Sequence, residues 1–187
     1  GRTTPQYAQA LIATGQARKA LAPLLYSLTQ ASDYEQLKIF EQRLAEILPR
    51  VNETVLDATI DNVTKNSGWI TQRYTFYFAL AEAFQLAKND RQALHYYAIA
   101  SALNKAPTTA LNRIAAIHQK AGRYEEARLC YMLSWTADRA NATSALAFNR
   151  LTQRMDNRNN DIAWQFKDWL RRSWEALFHV SPSAKRS

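Results

Sequence analysis

Two consecutive stretches of the chain decide its fold: YTFYFALAEAFQLAKNDRQALHYYAIASALNKAP at 74–107 and TTALNRIAAIHQKAGRYEEARLCYMLSWTADRAN at 108–141. Ala81 and Ala93 of the first stretch return as Ala115 and Ala127 of the second, at one constant displacement, from 81 to 115 and from 93 to 127. This period predicts a helix-turn-helix repeat, because two antiparallel helices approach closely only where a small side chain faces the partner helix. One such pair cannot cover its own apolar face, so neighbouring repeats are expected to stack.

Larger side chains surround these alanines at regular offsets. They are Tyr77, Leu80, Phe84, Tyr97 and Pro107, followed one period later by Leu111, Ile114, His118 and Tyr131. With these residues the chain resembles the tetratricopeptide repeat (TPR) family. The N-terminal residues add a further copy, in which Ala8 and Ala20 have the same separation as Ala81 and Ala93. The resemblance implies an all-α solenoid that binds other proteins.

The predicted fold is a TPR-like α-solenoid of about ten helices in five antiparallel hairpins. With 4 Gly and 5 Pro the chain has few natural breaks, which favours one domain over 1–178. Its hairpins are predicted at 4–30 with a turn at Gly15, at 35–73 as a divergent unit, at 74–107, at 108–141 and at 142–178 as a C-terminal cap. In the divergent unit, Asp33 with Gln36 indicates a capping box and Pro49 a helix end. Residues 179–187 are predicted to be a disordered tail.

The resemblance also implies that the first helix of each repeat lines a concave groove. Side chains at the groove offsets, or next to them, are Phe78, Glu82, Asn112, Arg113, Lys120, Arg150 and Arg154. Phe78 and Glu82 occupy the positions where the chaperone-binding branch of the family starts its clamp for a C-terminal carboxylate, so that clamp is not expected. The groove is predicted to be aromatic and polar in its middle and basic toward its C-terminal end.

The predicted last helix, 161–178, is rich in tryptophan and arginine. Trp164, Trp174, Arg171 and Arg172 lie off its apolar stripe and are candidates for a contact with a partner or with lipid. The same helix could also serve as the terminal cap of the solenoid. The net charge is +8, and 142–187 carry 8 basic and 4 acidic residues, which favours an acidic partner, an anionic membrane surface or a polyanion, with solubility as the simpler explanation.

The residue types do not form a catalytic set. His118 falls at a packing position of the repeat, Cys130 is the single cysteine and is predicted to be a small core residue, and no histidine pair has metal-ligand spacing. No cofactor, metal or catalytic residue is therefore expected.

The sequence predicts a non-enzymatic scaffold that binds another protein or peptide. The alternative is an envelope-associated module of a bacterial secretion or polysaccharide-export machine near a membrane. Nucleic-acid binding is disfavoured, because the stacked aromatic and basic pattern of the usual modules is missing. The oligomeric state and the compartment, cytoplasm or envelope, stay open.

Overall fold

The protein is all-α, as predicted, in a computed structural model that describes residues 4–31, 33–66, 73–104 and 107–158. Within these ranges the helices are α1 (Thr4–Ala13), α2 (Ala17–Gln30), α3 (Tyr34–Ile47), α4 (Glu53–Asn66), α5 (Arg73–Leu86), α6 (Asp90–Leu103), α7 (Thr108–Lys120), α8 (Tyr124–Ala137) and α9 (142–158). The described part contains no β-strand. The predicted tenth helix, 161–178, and the predicted tail, 179–187, lie outside the described residues.

Three pairs of neighbouring helices pack closely as hairpins: α1 with α2, α5 with α6, and α7 with α8. The small residues that define the repeat are all fully buried, at Ala8, Ala20, Ala81, Ala93, Ala115 and Ala127. Their burial gives the physical reason for the period, since a larger side chain at any of them would push the two helices of a hairpin apart.

The turns of these three hairpins share one geometry, in which a residue with a positive φ angle ends the first helix. Gly15 (φ 75°), Lys88 (φ 62°) and Gly122 (φ 76°) hold this position. In each turn this residue donates its N–H to a carbonyl three residues back, and the next residue donates to one five residues back. Such a pair of bonds is a Schellman motif. The bonds are Gly15 to Ile12 and Gln16 to Leu11, Lys88 to Gln85 and Asn89 to Phe84, and Gly122 to Gln119 and Arg123 to His118.

The unit over 35–73 joins the stack in a different way. Helix α3 begins at the predicted cap, where the Gln36 N–H donates to Asp33 Oδ1 at 2.8 Å, and it ends in a 3₁₀ turn, Leu48–Arg50, that contains Pro49. Helix α3 packs between α2 and α5, whereas α4 packs against α2. The insertion therefore places α3 beside the first regular repeat, where its polar side chains can reach α5.

The aromatic run of α5 faces this packing. Phe76 is buried, while Tyr77 and Phe78 are half-buried against the same core. Tyr96 and Tyr97 of α6 complete the cluster, because Tyr77 stacks on Tyr96 and the Phe78 ring lies edge-on to Tyr97. Most aromatic residues of 74–107 thus pack inside the α5–α6 hairpin, against which α3 also packs.

Candidate interaction surface

The middle of the predicted groove is organised around a buried carboxylate, Glu82 of α5, which is 8% exposed. Arg113 of α7 pairs with it through Nε at 2.8 Å from Oε1 and through Nη2 at 3.5 Å from Oε2. Lys38 of α3 places its Nζ 3.6 Å from Oε2, and the Tyr97 hydroxyl of α6 donates to Oε1 at 2.6 Å. One carboxylate therefore links four helices, and its oxygens are occupied by side chains of the protein itself.

A second buried carboxylate, Glu41 of α3, belongs to the same network. Lys38 Nζ lies 2.6 Å from Glu41 Oε2. Burial raises the pKa of Glu41, although the hydrogen bond and the charge of Lys38 act to lower it. The pKa of Lys38 is also raised: burial acts to lower it, and the hydrogen bond and charge of Glu41 with the charge of Glu82 outweigh that effect. Both pKa values are raised, which favours the neutral form of Glu41 and the charged form of Lys38. Burial has the larger effect on Glu41, because its side chain is 4% exposed and loses more hydration than the Lys38 side chain, which is 31% exposed.

Tyr97 shows that the contacts, as well as the residue types, follow the period. Its hydroxyl lies 2.7 Å from Oε1 of Gln85, and one period later the Tyr131 hydroxyl lies 3.4 Å from Oε1 of Gln119. The Tyr97 hydroxyl has a single proton, so it serves one acceptor at a time. Burial, followed by the hydrogen bond to Glu82, raises the pKa of Tyr97 and keeps the phenol neutral.

Asn112 lies at the junction between α7 and α9. Its Oδ1 accepts a hydrogen bond from Ser144 Oγ at 3.0 Å, and Ser144 Oγ in turn lies 2.9 Å from Ser134 Oγ. Ser134 also contacts the Thr108 carbonyl oxygen at 3.2 Å. Both serines are fully buried. The Asn112 amide is thus tied to the packing of the last described repeat.

The basic end of the predicted groove is open to solvent. Arg150, Arg154 and Arg158 of α9 are all exposed and stand four residues apart, so they share one face of the helix. We call these three residues the arginine stripe. The Arg154 guanidinium lies over the Tyr124 ring, 4.7 Å from its centroid. Among the residues that the structure describes, the arginine stripe makes no salt bridge.

Two cavities adjoin this end. One, of about 730 Å³, lies between the α7–α8 turn and α9 and is lined by residues that include Gly122, Tyr124, Arg154 and Arg158. The other, of about 330 Å³, is lined by Ala116, Gln119, Lys120, Tyr124 and Arg154. Tyr124 and Arg154 belong to both, so the two cavities meet at the stacked pair. The Lys120 side chain is 71% exposed, and its Nζ lies 3.6 Å from Asp90 Oδ2.

The predicted contact residues therefore separate into two groups. Lys120, Arg150 and Arg154 lie on accessible surface. Glu82 is buried in its network, Phe78 packs against Tyr74 and Tyr97, Asn112 bonds to Ser144, and Arg113 is committed to Glu82 with 47% of its side chain exposed. Trp164, Arg171, Arg172 and Trp174 lie outside the described residues. Glu82 thus holds α5 to α3, α6 and α7, and its contact with a partner stays a prediction.

Sequence reasoning did not identify Lys38, Glu41, Tyr124 or Arg158. Lys38 and Glu41 lie in the divergent unit, to which the repeat register does not extend. One signal was available for the network: Glu82 is the single acidic residue of α5 and stands among Ala81, Ala83 and other apolar residues. A carboxylate in such a setting is buried only when it is paired, so it predicts cationic side chains on the neighbouring helices. The signal for Arg158 was its spacing of four from Arg154.

His118 and Cys130 are both in contact with neighbouring parts of the protein. His118 is half-buried instead of fully packed, and its Nδ1 accepts a hydrogen bond from Arg123 Nε at 2.8 Å. Burial and then the charge of Arg123 lower the pKa of His118. Cys130 is half-buried where the prediction had it in the core, and burial raises the pKa of its thiol, which disfavours the reactive thiolate. Within the described ranges no three His, Cys, Asp or Glu residues gather as a metal site, and no helix combines the length and apolarity that crossing a bilayer requires.

The fold and the surface together define an all-α protein of consecutively packed helical pairs, compatible with a helical-repeat architecture. Comparison with known proteins adds no name to this class, since no family model, curated protein or solved structure matches the chain.

Proposed function

We propose that the protein is a non-enzymatic scaffold of the tetratricopeptide type, which binds a partner protein or peptide at the basic end of its groove. The observation that carries the proposal is the exposed arginine stripe beside two cavities on a frame of packed helical pairs. Guanidinium groups that are exposed and form no salt bridge with the described residues are suited to carboxylates, because the planar fork of arginine donates two parallel hydrogen bonds.

The repeat assignment is supported by three features that recur with the period. The buried alanines, the Schellman turns at Lys88 and Gly122, and the tyrosine–glutamine contacts at Tyr97 and Tyr131 all recur at the same displacement, from 81 to 115, from 88 to 122 and from 97 to 131. Each feature serves packing within one unit, as expected where every repeat contacts only its neighbours.

The non-enzymatic part of the proposal is supported by what the buried polar groups do. Glu41 and Glu82 are paired with cations, His118 is bonded to Arg123, and the Tyr97 phenol is held neutral. A general base or a nucleophile needs a free position next to a substrate. These groups are instead occupied by contacts with other side chains of the protein.

The test is affinity capture from a native extract with the wild-type protein and with Arg150→Glu. Arg150 is exposed, so its reversal removes attraction for an acidic partner while the fold is retained. Arg18→Glu on α2 is the matched control, because Arg18 is exposed and lies far along the stack. We expect one or more proteins captured by wild type and by Arg18→Glu to be lost with Arg150→Glu. Identical capture by all three proteins would exclude Arg150 from the binding surface and contradict the proposed groove.

A further inference from the structure

We infer that the arginine stripe binds an extended acidic peptide of a partner protein, in which carboxylate side chains occur at every second residue. The inference rests on the proposed function and names the partner's chemistry. It depends on three properties of the stripe: the spacing of its residues along α9, the absence of salt bridges to it among the described residues, and the surroundings of Tyr124.

The spacing follows from helix geometry. Arg150, Arg154 and Arg158 are separated by four residues, and a rise of about 1.5 Å per residue places their anchors about 6 Å apart along the helix. Alternate side chains of an extended peptide point to the same side and lie about 6.6 Å apart. Three carboxylates in such a peptide therefore match three successive arginines without bending either backbone.

Within 4–158, as far as the structure describes them, the stripe forms no salt bridge. Asp156 is the single acidic residue of α9 within 142–158, and it stands two positions from Arg154, about 200° around the helix. Like charges at a spacing of four repel one another and weaken a helix. An anionic segment laid along the stripe relieves this repulsion and gains charge-assisted hydrogen bonds.

Tyr124 prepares the central arginine for binding. The ring beneath Arg154 holds the guanidinium at 4.7 Å from its centroid, in front of the two cavities. A guanidinium that is already positioned loses less side-chain entropy when a carboxylate arrives. Arg154 is for this reason the residue of the stripe whose loss weakens binding most.

The surroundings favour a peptide over a nucleic acid. Glu125 and Glu126 line the larger cavity together with Arg154 and Arg158, and they repel a continuous phosphate backbone. Single-stranded nucleic acids also use exposed aromatic rings for base stacking, and the Tyr124 face is covered by Arg154. A peptide with alternating carboxylates can place its neutral residues against the two glutamates.

The experiment is a fluorescence-anisotropy titration of the full chain with labelled synthetic peptides. The probe has three glutamates alternating with serines; its controls have the same three glutamates in one block, or glutamine in place of glutamate. We expect the alternating peptide to bind more tightly than both, and the affinity to fall with rising salt. Arg154→Glu and Arg158→Glu should weaken binding by about five- to tenfold, because each exchanges an attraction for a repulsion, and Arg18→Glu should leave it unchanged.

Each other outcome overturns a defined part of the inference. Equal binding of the blocked and alternating peptides would reject the spacing, and unchanged binding by Arg154→Glu and Arg158→Glu would reject the stripe. Tighter binding of a single-stranded oligothymidine than of any peptide would assign the surface to nucleic acid. Absence of peptide binding, together with partner capture that still depends on Arg150, would reject this partner chemistry and leave the proposed scaffold function standing.

Discussion

At the scale of single residues, the hairpin turns depend on a backbone conformation that favours glycine. Gly15 and Gly122 adopt it, and Lys88 adopts it at the equivalent turn of the first regular repeat. A Cβ added at either glycine would meet no atom within 4 Å, so any cost of a side chain there comes from the backbone conformation itself.

Lys88→Gly is expected to raise the free energy of unfolding by up to about 1 kcal/mol, because it removes the cost of a side chain at positive φ. Gly122→Ala should lower it by about 1 kcal/mol for the same reason. Urea denaturation measures both. Gln42→Gly, at an exposed position in the interior of α3, is the matched control and should destabilise the protein. A Lys88→Gly protein less stable than its parent would show that the Lys88 side chain has a role beyond the turn.

The Glu82 network makes a residue-scale prediction about two arginines of the predicted groove. Arg113→Glu would remove a donor from a buried carboxylate and add a second negative charge, so we expect a loss of about 1–3 kcal/mol in the free energy of unfolding. Arg150→Glu lies on solvated surface and should change it by less than about 0.5 kcal/mol. Thermal and urea melts of the two variants give the comparison. Equal stability of both would mean that Glu82 does not depend on Arg113.

His118 provides a pH-dependent prediction. Its folded-state pKa is lowered, so the native protein binds fewer protons than the unfolded chain below the usual histidine pKa of about 6.5. The contribution of His118 to stability is therefore complete above that pH and is lost as the pH falls through the lowered pKa. Titration of the histidine ring protons by NMR should give His118 a lower pKa in the native protein than in urea. A native pKa at or above the unfolded value would contradict this arrangement.

At the scale of elements, two junctions between consecutive hairpins bury small residues at equivalent positions, but the residue types differ. Ala100 of α6 and Ala110 of α7 are fully buried, and the equivalent residues one period later, Ser134 and Ser144, are fully buried as well. Where the first junction has two alanines, the second has two serines that form a hydrogen bond between α8 and α9. Each of these four buried positions holds a small residue. A polar residue is tolerated at Ser134 and Ser144 because each hydroxyl has the other as a hydrogen-bond partner.

A double-mutant cycle tests this junction. Ser134→Ala or Ser144→Ala alone leaves a buried polar group without one of its partners and is expected to cost about 1 kcal/mol. The double variant has alanine at both positions, as the preceding junction does, and should cost less than the sum of the two. Additive losses would show that the two hydroxyls act independently.

At the scale of the whole molecule, the core formed by the described residues is unevenly distributed. A large apolar cluster runs from α1 to α7, and a small one joins Ala115, Ala127, Tyr131 and Leu151. The difference follows from the sequence, since the aromatic Tyr77, Phe84 and Tyr96 of one repeat are replaced in the next by Leu111, His118 and Cys130. Of these two units, the one over 108–141 therefore has fewer aromatic residues for its core than the one over 74–107.

Native-state hydrogen exchange should detect this gradient. In a stack of repeats each unit is stabilised by itself and by its neighbours, so weaker units open at lower free energy. We expect the amides of α8 and α9 to exchange through opening reactions of lower free energy than those of α2 and α5. Leu151→Ala should increase exchange mainly in α8 and α9, whereas Leu44→Ala should destabilise the large cluster. Uniform protection along the chain would show a single cooperative unit.

The amino-acid sequence by itself determined the local features: helix class, the hairpin over 4–30 with its turn at Gly15, the cap at Asp33 and the end of α3 at Pro49. These depend on residues a few positions apart, so their signals lie close together in the chain. Tertiary structure alone decided which cations pair with Glu82, since Lys38 and Arg113 reach it from other helices that lie far from it along the chain. It likewise decided that Arg150, Arg154 and Arg158 stay open to solvent, because exposure depends on how distant helices stack and no local pattern specifies that packing.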